Sequence, residues 1–234
     1  MATNPQTRII AGISVLDTPL ITKSLAYARK YMDDQGYNHV VRSWLAGMAI
    51  ISHLPDAVKK NLDIEAINIA AILHDLGWSN SSDVTSTDKR FEVDGANAAR
   101  EFLQREGGPT WGHHRIQLVW DAIALHTTRS INKFKEPEVA LTAAGIVTEL
   151  LGPELAKAQY TVTNVTIEEY EMIVSEYPNK GLRGYLRDTM CGLCVRKPET
   201  TYDNFVSGYG ERFVEGYTLE GRKSVDIMEK VLAE

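Results

Sequence analysis

The stretch LDIEAINIAAILHDLG, residues 62–77, decides how the rest of the chain is interpreted. Its Ala, Ile and Leu residues leave almost no polar side, so Leu62–Leu76 predicts a central helix that is buried all round. Gly77 is a natural residue to end such a helix. His74 and Asp75 nevertheless stand at its end, where an unpaired charge would be costly. A metal ion or a tight ion pair is the usual way to stabilise such a dipeptide.

Helical periodicity continues on both sides of this segment. It predicts a first helix over Leu20–Tyr31 and a second that begins at Asn38, a favourable N-cap, and runs to Ile51. Polar residues predict a loop over 79–89. Further helices are predicted over 94–105, 111–127, 136–151, 167–177, 183–195, 202–214 and 221–232, with an extended loop over 160–165. We therefore predict an all-α fold, with an N-terminal segment over residues 1–18 and a single helical domain over residues 19–234.

Composition limits the class of protein. The 234 residues include 25 Lys and Arg against 31 Asp and Glu, which gives a net charge of −6. Such a chain lacks the clustered cations that nucleic acids and anionic lipids need, so neither is expected as a partner. Two Cys residues suit a reducing compartment, and no apolar run reaches the ~18–20 residues of a membrane span. We expect a cytoplasmic protein that acts on a small molecule.

The six histidines carry most of the functional signal, because His binds metals and titrates near neutral pH. His39 lies at the start of the second predicted helix, His74 at the end of the third, and His126 near the end of a later one. Imidazole and carboxylate ligands together suit divalent metals. The other histidines are interpreted as helix-end or surface residues: His53, His113 and His114.

Two motifs, YNHVVR at 37–42 and AAILHDLG at 70–77, resemble the H…HD signature of the HD-domain superfamily. Further motifs resemble the cyanamide hydratase-like branch of that superfamily, which is found in fungi. These are the YNH entry into the second helix, Thr85-Ser86-Thr87 followed by Phe91, Glu92 and Gly95, and the late segments 177–181 and 195–198. The resemblance runs in order through about residues 20–200 and implies a helical HD-domain bundle.

The resemblance also implies a set of metal ligands, namely His39, His74 and Asp75. The superfamily takes its fourth ligand from an Asp in a D-x-x-G step. Here the corresponding residue is Glu149, three before Gly152. The longer Glu either reaches the ion after a rotamer change or leaves the site weakly occupied, and we retain it as the fourth ligand. Zinc is the first metal expected, and iron, manganese or nickel would suit the same ligands.

Four residues are implied as catalytic. Thr85 and Thr87 would orient a small polar substrate from a loop above the metal, although capping and turn formation would also explain them. Glu92 belongs to the same motif, but an acid at a helix N-terminus is ordinary as well. His126 is the candidate for proton transfer or substrate orientation, with a hydrogen-bonded core histidine as the alternative reading.

The reaction implied is the addition of metal-activated water to a short C≡N or amide-like compound. One alternative is a phosphohydrolase, which would need cations near the HD dipeptide, where Arg42 is the one candidate and Trp78 replaces the lysine of many such enzymes. A two-iron oxygenase would use additional histidines. A non-catalytic binding protein is the third alternative, because Glu149 departs from the family pattern.

Two features of the C-terminal third remain. Cys191 and Cys194 lie one helical turn apart and are interpreted as packing residues, because a zinc site would need further ligands. Aromatic residues recur every three or four positions in the tail, which predicts packing on the domain or on a second subunit: Tyr202, Phe205, Tyr209, Phe213 and Tyr217. A homo-oligomer therefore stays an open alternative.

Overall fold

The computed structural model describes residues 6–232, and most of these are helical. Two strands, β1 (Thr7–Ile10) and β2 (Ile13–Leu16), precede the helices. The helices are α1 (Pro19–Tyr31), α2 (Asp34–Ser52), α3 (Asp56–Lys59), α4 (Ile64–Leu73), α5 (Phe91–Glu106), α6 (His113–Ala124), α7 (Arg129–Asn132), α8 (Pro137–Leu151), α9 (Pro153–Gln159), α10 (Ile167–Glu176), α11 (Leu182–Arg196), α12 (Ser207–Phe213) and α13 (Ser224–Val231). Short 3-10 turns cover Leu76–Trp78 and Pro198–Thr200. The all-α class is thereby confirmed.

Most of the predicted helices are present with their ends shifted by a few residues, and the stretch 160–165 is a loop as predicted. The main exception is 202–214, where a helix forms only over Ser207–Phe213. There the side chain of Asn204 accepts a hydrogen bond from the backbone N–H of Val206 at 3.0 Å, and such local bonds compete with helix formation. No helix within residues 6–232 is long and apolar enough to cross a membrane.

The strands β1 and β2 form an antiparallel hairpin that the sequence prediction missed. Ala11 and Gly12 make a two-residue turn in which both have positive φ, 48° and 76°, as the type I′ hairpin turn requires. Ile13 and Val15 of β2 are buried in the main core. The segment predicted over residues 1–18 therefore contains a hairpin, and its first five residues lie outside the described range.

Helix α2 begins one turn earlier than predicted. Asp33 is its N-cap, because its carboxylate accepts a hydrogen bond from the backbone N–H of Gly36 at 2.9 Å. The prediction that Asn38 caps this helix is wrong. His39 consequently lies in the second turn of α2, where it is buried rather than placed at the entry of the helix.

Helix α4 is buried on all sides, as its composition predicted, but it ends at Leu73 rather than at Leu76. Beyond it the chain turns through His74 and Asp75 into the 3-10 turn. Gly77 does not end the helix in a left-handed conformation. It allows a close backbone approach instead, because a Cβ there would lie 1.9 Å from the carbonyl oxygen of Phe91.

Helices α2 and α8 cross at two glycines. A Cβ on Gly145 would lie 2.8 Å from the Cα of Gly47, so the backbones come together without intervening side chains. This close approach sets the N-terminal half of α2 against the C-terminal end of α8. His39 and Glu149 thereby become neighbours across the two helices.

The C-terminal third adds a second, smaller apolar cluster. Its buried members are Trp78, Phe91, Met190, Leu193, Cys194 and Val206. Cys194 therefore packs, as predicted, and Cys191 is partly exposed. Because Trp78 and Phe91 lie next to the HD dipeptide, this cluster brings α11 and α12 to the site described below.

Lys197 links the C-terminal third to the polar loop over 79–89. Its buried ammonium donates to Oδ2 of Asp94 at 2.6 Å and to the backbone carbonyl of Ser86 at 3.4 Å. The N–H and the hydroxyl of Ser86 also donate to the two oxygens of Asp94, at 3.0 and 2.7 Å. Every oxygen of this buried carboxylate therefore has a partner.

Candidate metal centre

Three residues from two neighbouring helix regions converge in the interior: His39 of α2 with His74 and Asp75 at the end of α4. Nε2 of His74 lies 2.9 Å from Oδ2 of Asp75, and Nε2 of His39 lies 3.1 Å from the same oxygen. The two Nε2 atoms are 3.2 Å apart. All three side chains are buried, and one ligand atom from each lies within 4.8 Å of the others, which is close enough to hold one ion.

The three histidines near Asp75 are held by their Nδ1 atoms. Nδ1 of His39 lies 2.8 Å from Oε2 of Glu149, Nδ1 of His74 lies 2.8 Å from the carbonyl of Ala71, and Nδ1 of His126 lies 2.7 Å from the carbonyl of Ile123. Each Nδ1 therefore carries the proton that it donates. The Nε2 atoms are left to face Asp75, which is how metal-binding histidines are usually oriented.

The surroundings of the Asp75 carboxylate indicate whether this cluster could bind a metal ion. Both oxygens of this carboxylate are buried and accept no hydrogen bond of good geometry among the described residues, but Oδ2 lies at ion-pair distance from two imidazoles, 2.9 Å from His74 and 3.1 Å from His39. A buried charge without hydrogen bonds is costly. A divalent cation would satisfy both oxygens, and imidazole with carboxylate is a donor set that such ions accept. The residues present therefore fit a metal.

The charged groups of the cluster shift one another's pKa values. Burial alone would lower the pKa of His39, but the carboxylates of Glu149 and Asp75 outweigh burial and raise it to about 9. Burial alone would raise the pKa of Asp75, but the imidazoles of His74 and His39 hold it below its usual range. In the metal-free protein His39 is thus a cation, and an ion that binds its Nε2 must displace a proton.

Glu149 lies elsewhere than the sequence suggested. Its carboxylate contacts the Nδ1 side of His39, so the imidazole stands between it and the Nε2 atoms. Its other oxygen accepts a hydrogen bond from Nε of Arg42 at 2.6 Å. Arg42 also donates to the carbonyls of Tyr177 and Pro178, so this buried cation is committed to the protein and does not face the cavity.

His126 and Glu92 lie together beside the cluster. Nε2 of His126 is 3.5 Å from Oδ1 of Asp75, and burial lowers the pKa of this imidazole. Glu92 is buried one layer behind and accepts hydrogen bonds from the hydroxyl of Thr127 at 2.6 Å and from Arg90 at 3.0 Å. The structure therefore brings His126 to the cluster and sets Glu92 behind Thr127.

The two threonines of the loop are not at the cluster. The hydroxyl of Thr85 donates to the carbonyl of Ser81 at 2.8 Å, and Thr87 is exposed. Neither side chain is among those that line the cavity over the cluster. Their surroundings match the turn-forming reading. The remaining histidines also lie away from the cluster: His53 pairs with Glu169, and both His113 and His114 are exposed.

A cavity of about 370 Å³ opens over the cluster. It is lined by His39, His74, Asp75, Trp78, Phe91, His126, Thr127, Arg129, Ile146, Val147, Leu150, Gln159, Tyr160, Leu186, Met190, Phe205 and Tyr209. Trp78 stacks on His39 with 5.3 Å between the ring centroids and 10° between the planes. The sequence analysis missed Arg129 and the apolar residues of α11 and α12. The apolar residues are far from the HD dipeptide in sequence, and the second apolar cluster brings them to it.

Comparison with known proteins agrees with this geometry. The family model described as HD domain matches residues 36–165, which is more than half of the chain. The matched range contains every residue of the cluster as well as His126 and Glu149. No curated protein matches the sequence.

Proposed function

Because the chain belongs to the HD domain family, whose members are generally metal-dependent hydrolases, we propose that it adds water to an uncharged carbon electrophile of the C≡N or amide type. The finer assignment rests on the motifs at Thr85–Thr87 and at residues 177–198, which resemble the cyanamide hydratase-like branch. The observation that supports metal-dependent chemistry is the buried cluster itself, in which Nε2 of His39, Nε2 of His74 and Oδ2 of Asp75 lie within 3.2 Å of one another.

His39, His74 and Asp75 would hold the ion, with zinc as the first candidate and iron, manganese or nickel as alternatives. When bound, such an ion would polarise the electrophile and lower the pKa of bound water to about 7. Glu149 is proposed as the residue that orients His39, because it accepts the Nδ1 proton at 2.8 Å. Burial alone would raise the pKa of Glu149, but the charges of His39 and Arg42 lower it and keep the carboxylate ionised.

His126 is proposed as the group that moves the proton. Its lowered pKa keeps the imidazole neutral near pH 7, so Nε2 can accept a proton from the attacking water. The hydrogen bond from Nδ1 to Ile123 fixes this tautomer. Glu92 supports the same wall of the site by accepting a hydrogen bond from Thr127.

A phosphate ester is the second candidate substrate, and one observation favours it. Arg129 lines the mouth of the cavity and also lines a neighbouring cavity together with Arg90 and Lys133. Cations at this position would meet the charge of a phosphate. The substrate cavity itself has no other basic side chain among the lining residues apart from the histidines, which makes the uncharged substrate the first choice.

The test begins with the metal content of the purified protein, followed by removal with a chelator and addition of zinc, iron, manganese or nickel. Each form is assayed for hydration of cyanamide and for hydrolysis of p-nitrophenyl phosphate. We expect one ion per chain, turnover of the nitrile, and loss of turnover on chelation. His74→Ala should lose both ion and turnover, whereas His53→Ala, at a partly exposed histidine, should keep both.

Each alternative gives a different result. Turnover that survives metal removal would contradict the proposal, and turnover of the phosphate ester alone would assign a phosphohydrolase. Two irons per chain would favour an oxygenase. A folded protein that binds no metal would support a non-catalytic role.

A further inference from the structure

We propose that the cavity accepts a substrate with an apolar group about the size of a phenyl ring attached to the reacting C≡N group, rather than cyanamide itself. This inference rests on the proposed function for the reaction and on the cavity walls for the substrate. It concerns the part of the substrate that does not react.

Size is the first argument. The cavity measures about 370 Å³. At roughly 30 Å³ for each water-sized group, it has room for about a dozen non-hydrogen atoms. Cyanamide is far smaller and would leave most of the space to water. An aromatic ring next to the nitrile carbon would fill it.

The chemistry of the walls is the second argument. Facing the metal ligands, the cavity is surrounded by aromatic and aliphatic side chains: Trp78, Phe91, Ile146, Val147, Leu186 and Met190. They come from the 3-10 turn, α5, α8 and α11, so several independent elements contribute to one apolar surface. Apolar walls with a few polar groups at one end are typical of sites for organic ligands.

Three polar side chains of the walls already have hydrogen-bond partners, which is the third argument. The hydroxyl of Thr127 donates to Glu92 at 2.6 Å, and the hydroxyl of Tyr160 donates to Asn132 at 2.8 Å. Arg129 donates to Gln159. Beyond the metal ligands and His126, a polar substrate would find Nε1 of Trp78, which is buried without a hydrogen-bond partner among the described residues, and few other free groups. An apolar group forms no hydrogen bonds with water, so it gives up none when it enters the cavity.

The mouth of the cavity is the fourth argument. Leu150 and Phe205 line it, although 39% and 46% of their surfaces are exposed. Large apolar side chains grouped around an opening mark a binding site for an apolar ligand. A phenyl-bearing substrate would cover both.

Hydration of such a substrate needs only water as the second reactant. For N-phenylcyanamide, the oxygen of one water molecule becomes doubly bonded to the nitrile carbon, and the C≡N triple bond becomes a C–N single bond. The two hydrogens of the water end on that nitrogen, and the product is phenylurea. Nothing leaves, and no oxidant or reductant takes part.

The test compares two substrates that share the reacting group. For the metal-loaded protein, we expect kcat/KM for N-phenylcyanamide to exceed that for cyanamide by about 10-fold or more, since filling an apolar pocket is worth at least this factor. Binding is measured separately. Calorimetry with phenylurea and the metal-free protein reports on the cavity whether or not the enzyme turns over.

Two variants of α11 make the comparison specific. Leu186→Trp would fill part of the cavity, so we expect it to lower kcat/KM for N-phenylcyanamide by about 10-fold or more, to weaken phenylurea binding equally, and to lower the ratio of kcat/KM for N-phenylcyanamide to that for cyanamide. Val195→Trp adds the same bulk at an exposed position of the same helix, outside the cavity, and should change neither.

The outcomes separate this inference from the proposed function. Phenylurea binding that Leu186→Trp weakens and Val195→Trp leaves intact supports the apolar site even if neither nitrile is converted. Faster turnover of cyanamide with no binding of phenylurea overturns the inference and leaves the proposed reaction standing. Equal effects of the two tryptophan variants would also overturn it.

Discussion

Asp75 and Asp94 are two buried aspartates of the same chain with opposite surroundings. Asp94 receives hydrogen bonds on both oxygens, from the ammonium of Lys197 and from the N–H and hydroxyl of Ser86. Asp75 accepts no hydrogen bond of good geometry within residues 6–232, and its charge is balanced by imidazoles alone, with His74 and His39 2.9 and 3.1 Å from Oδ2 and His126 3.5 Å from Oδ1.

The different contacts of the two carboxylates indicate different roles. Asp94 is complete within the polypeptide, so it stabilises the junction between the loop over 79–89 and the C-terminal third. Asp75 is balanced by imidazoles, which can exchange a proton for a metal ion. A buried carboxylate in that condition is better suited to binding a cation than to holding the fold together.

The strongest test of this comparison is Asp75→Asn. The neutral amide removes the negative ligand, so we expect loss of the metal and a fall in turnover of roughly 10³-fold or more, as for the loss of a central catalytic group. The free energy of unfolding of the metal-free protein should also fall, because the imidazoles that hold the pKa of Asp75 below its usual range lose their charged partner. Metal analysis, turnover and urea unfolding measure the three quantities, and an Asp75→Asn protein that keeps its ion would break the comparison.

Lys197→Met tests the structural role of Asp94. Removing one partner of a buried ion pair leaves Asp94 uncompensated, and we expect the free energy of unfolding to fall by about 3–5 kcal/mol. The metal content should stay the same in the folded protein. Urea unfolding gives the stability, and Lys230→Met, at an exposed position of α13, is the control that should change it by less than about 0.5 kcal/mol.

Glu149→Gln tests whether Glu149 orients His39 or binds the metal ion directly. If Glu149 orients the imidazole, the variant still binds one ion but with about 10–100-fold lower affinity, as is usual when an outer hydrogen-bond partner is lost. Competition with a metal-sensitive dye would measure this affinity. A complete loss of the ion, equal to that of His74→Ala, would instead restore Glu149 as a direct ligand.

The smallest effects are expected at Thr85 and Thr87. Thr87→Ala removes an exposed hydroxyl, and Thr85→Ala removes one local hydrogen bond to Ser81, worth about 1 kcal/mol. Neither should change turnover by more than about twofold. A large fall in kcat for either variant, measured on folded metal-loaded protein, would show that the loop moves over the cavity during the reaction.

The sequence was informative where the signal is local. The apolar run over 62–76 predicted a buried helix, and the resemblance to HD domains brought His39, His74 and Asp75 together as a set. It was less informative about helix ends, because Asp33 and Asn38 are both good caps and only the folded chain shows that Asp33 caps α2. The hairpin did carry a signal, an Ala-Gly turn between β-branched residues.

Tertiary relations were beyond the sequence. Spacing from Gly152 placed Glu149 at the right turn of α8, but it could not tell that the carboxylate meets Nδ1 of His39 and Arg42 rather than the Nε2 side. The apolar wall from α11 and α12 was missed for the same reason. Which face of a helix meets the site depends on packing between elements that are distant in the chain.

The crossing of α2 and α8 has a consequence for how this sequence can change over evolution. A methyl group on Gly145 would collide with Gly47, whereas the nearest atom to a methyl group on Gly47 would be 3.9 Å away. Only one of the two glycines is therefore closed to substitution. A single methyl group at Gly145 would push apart the helices that carry His39 and Glu149, so selection for the site also acts on a residue that touches neither ion nor substrate.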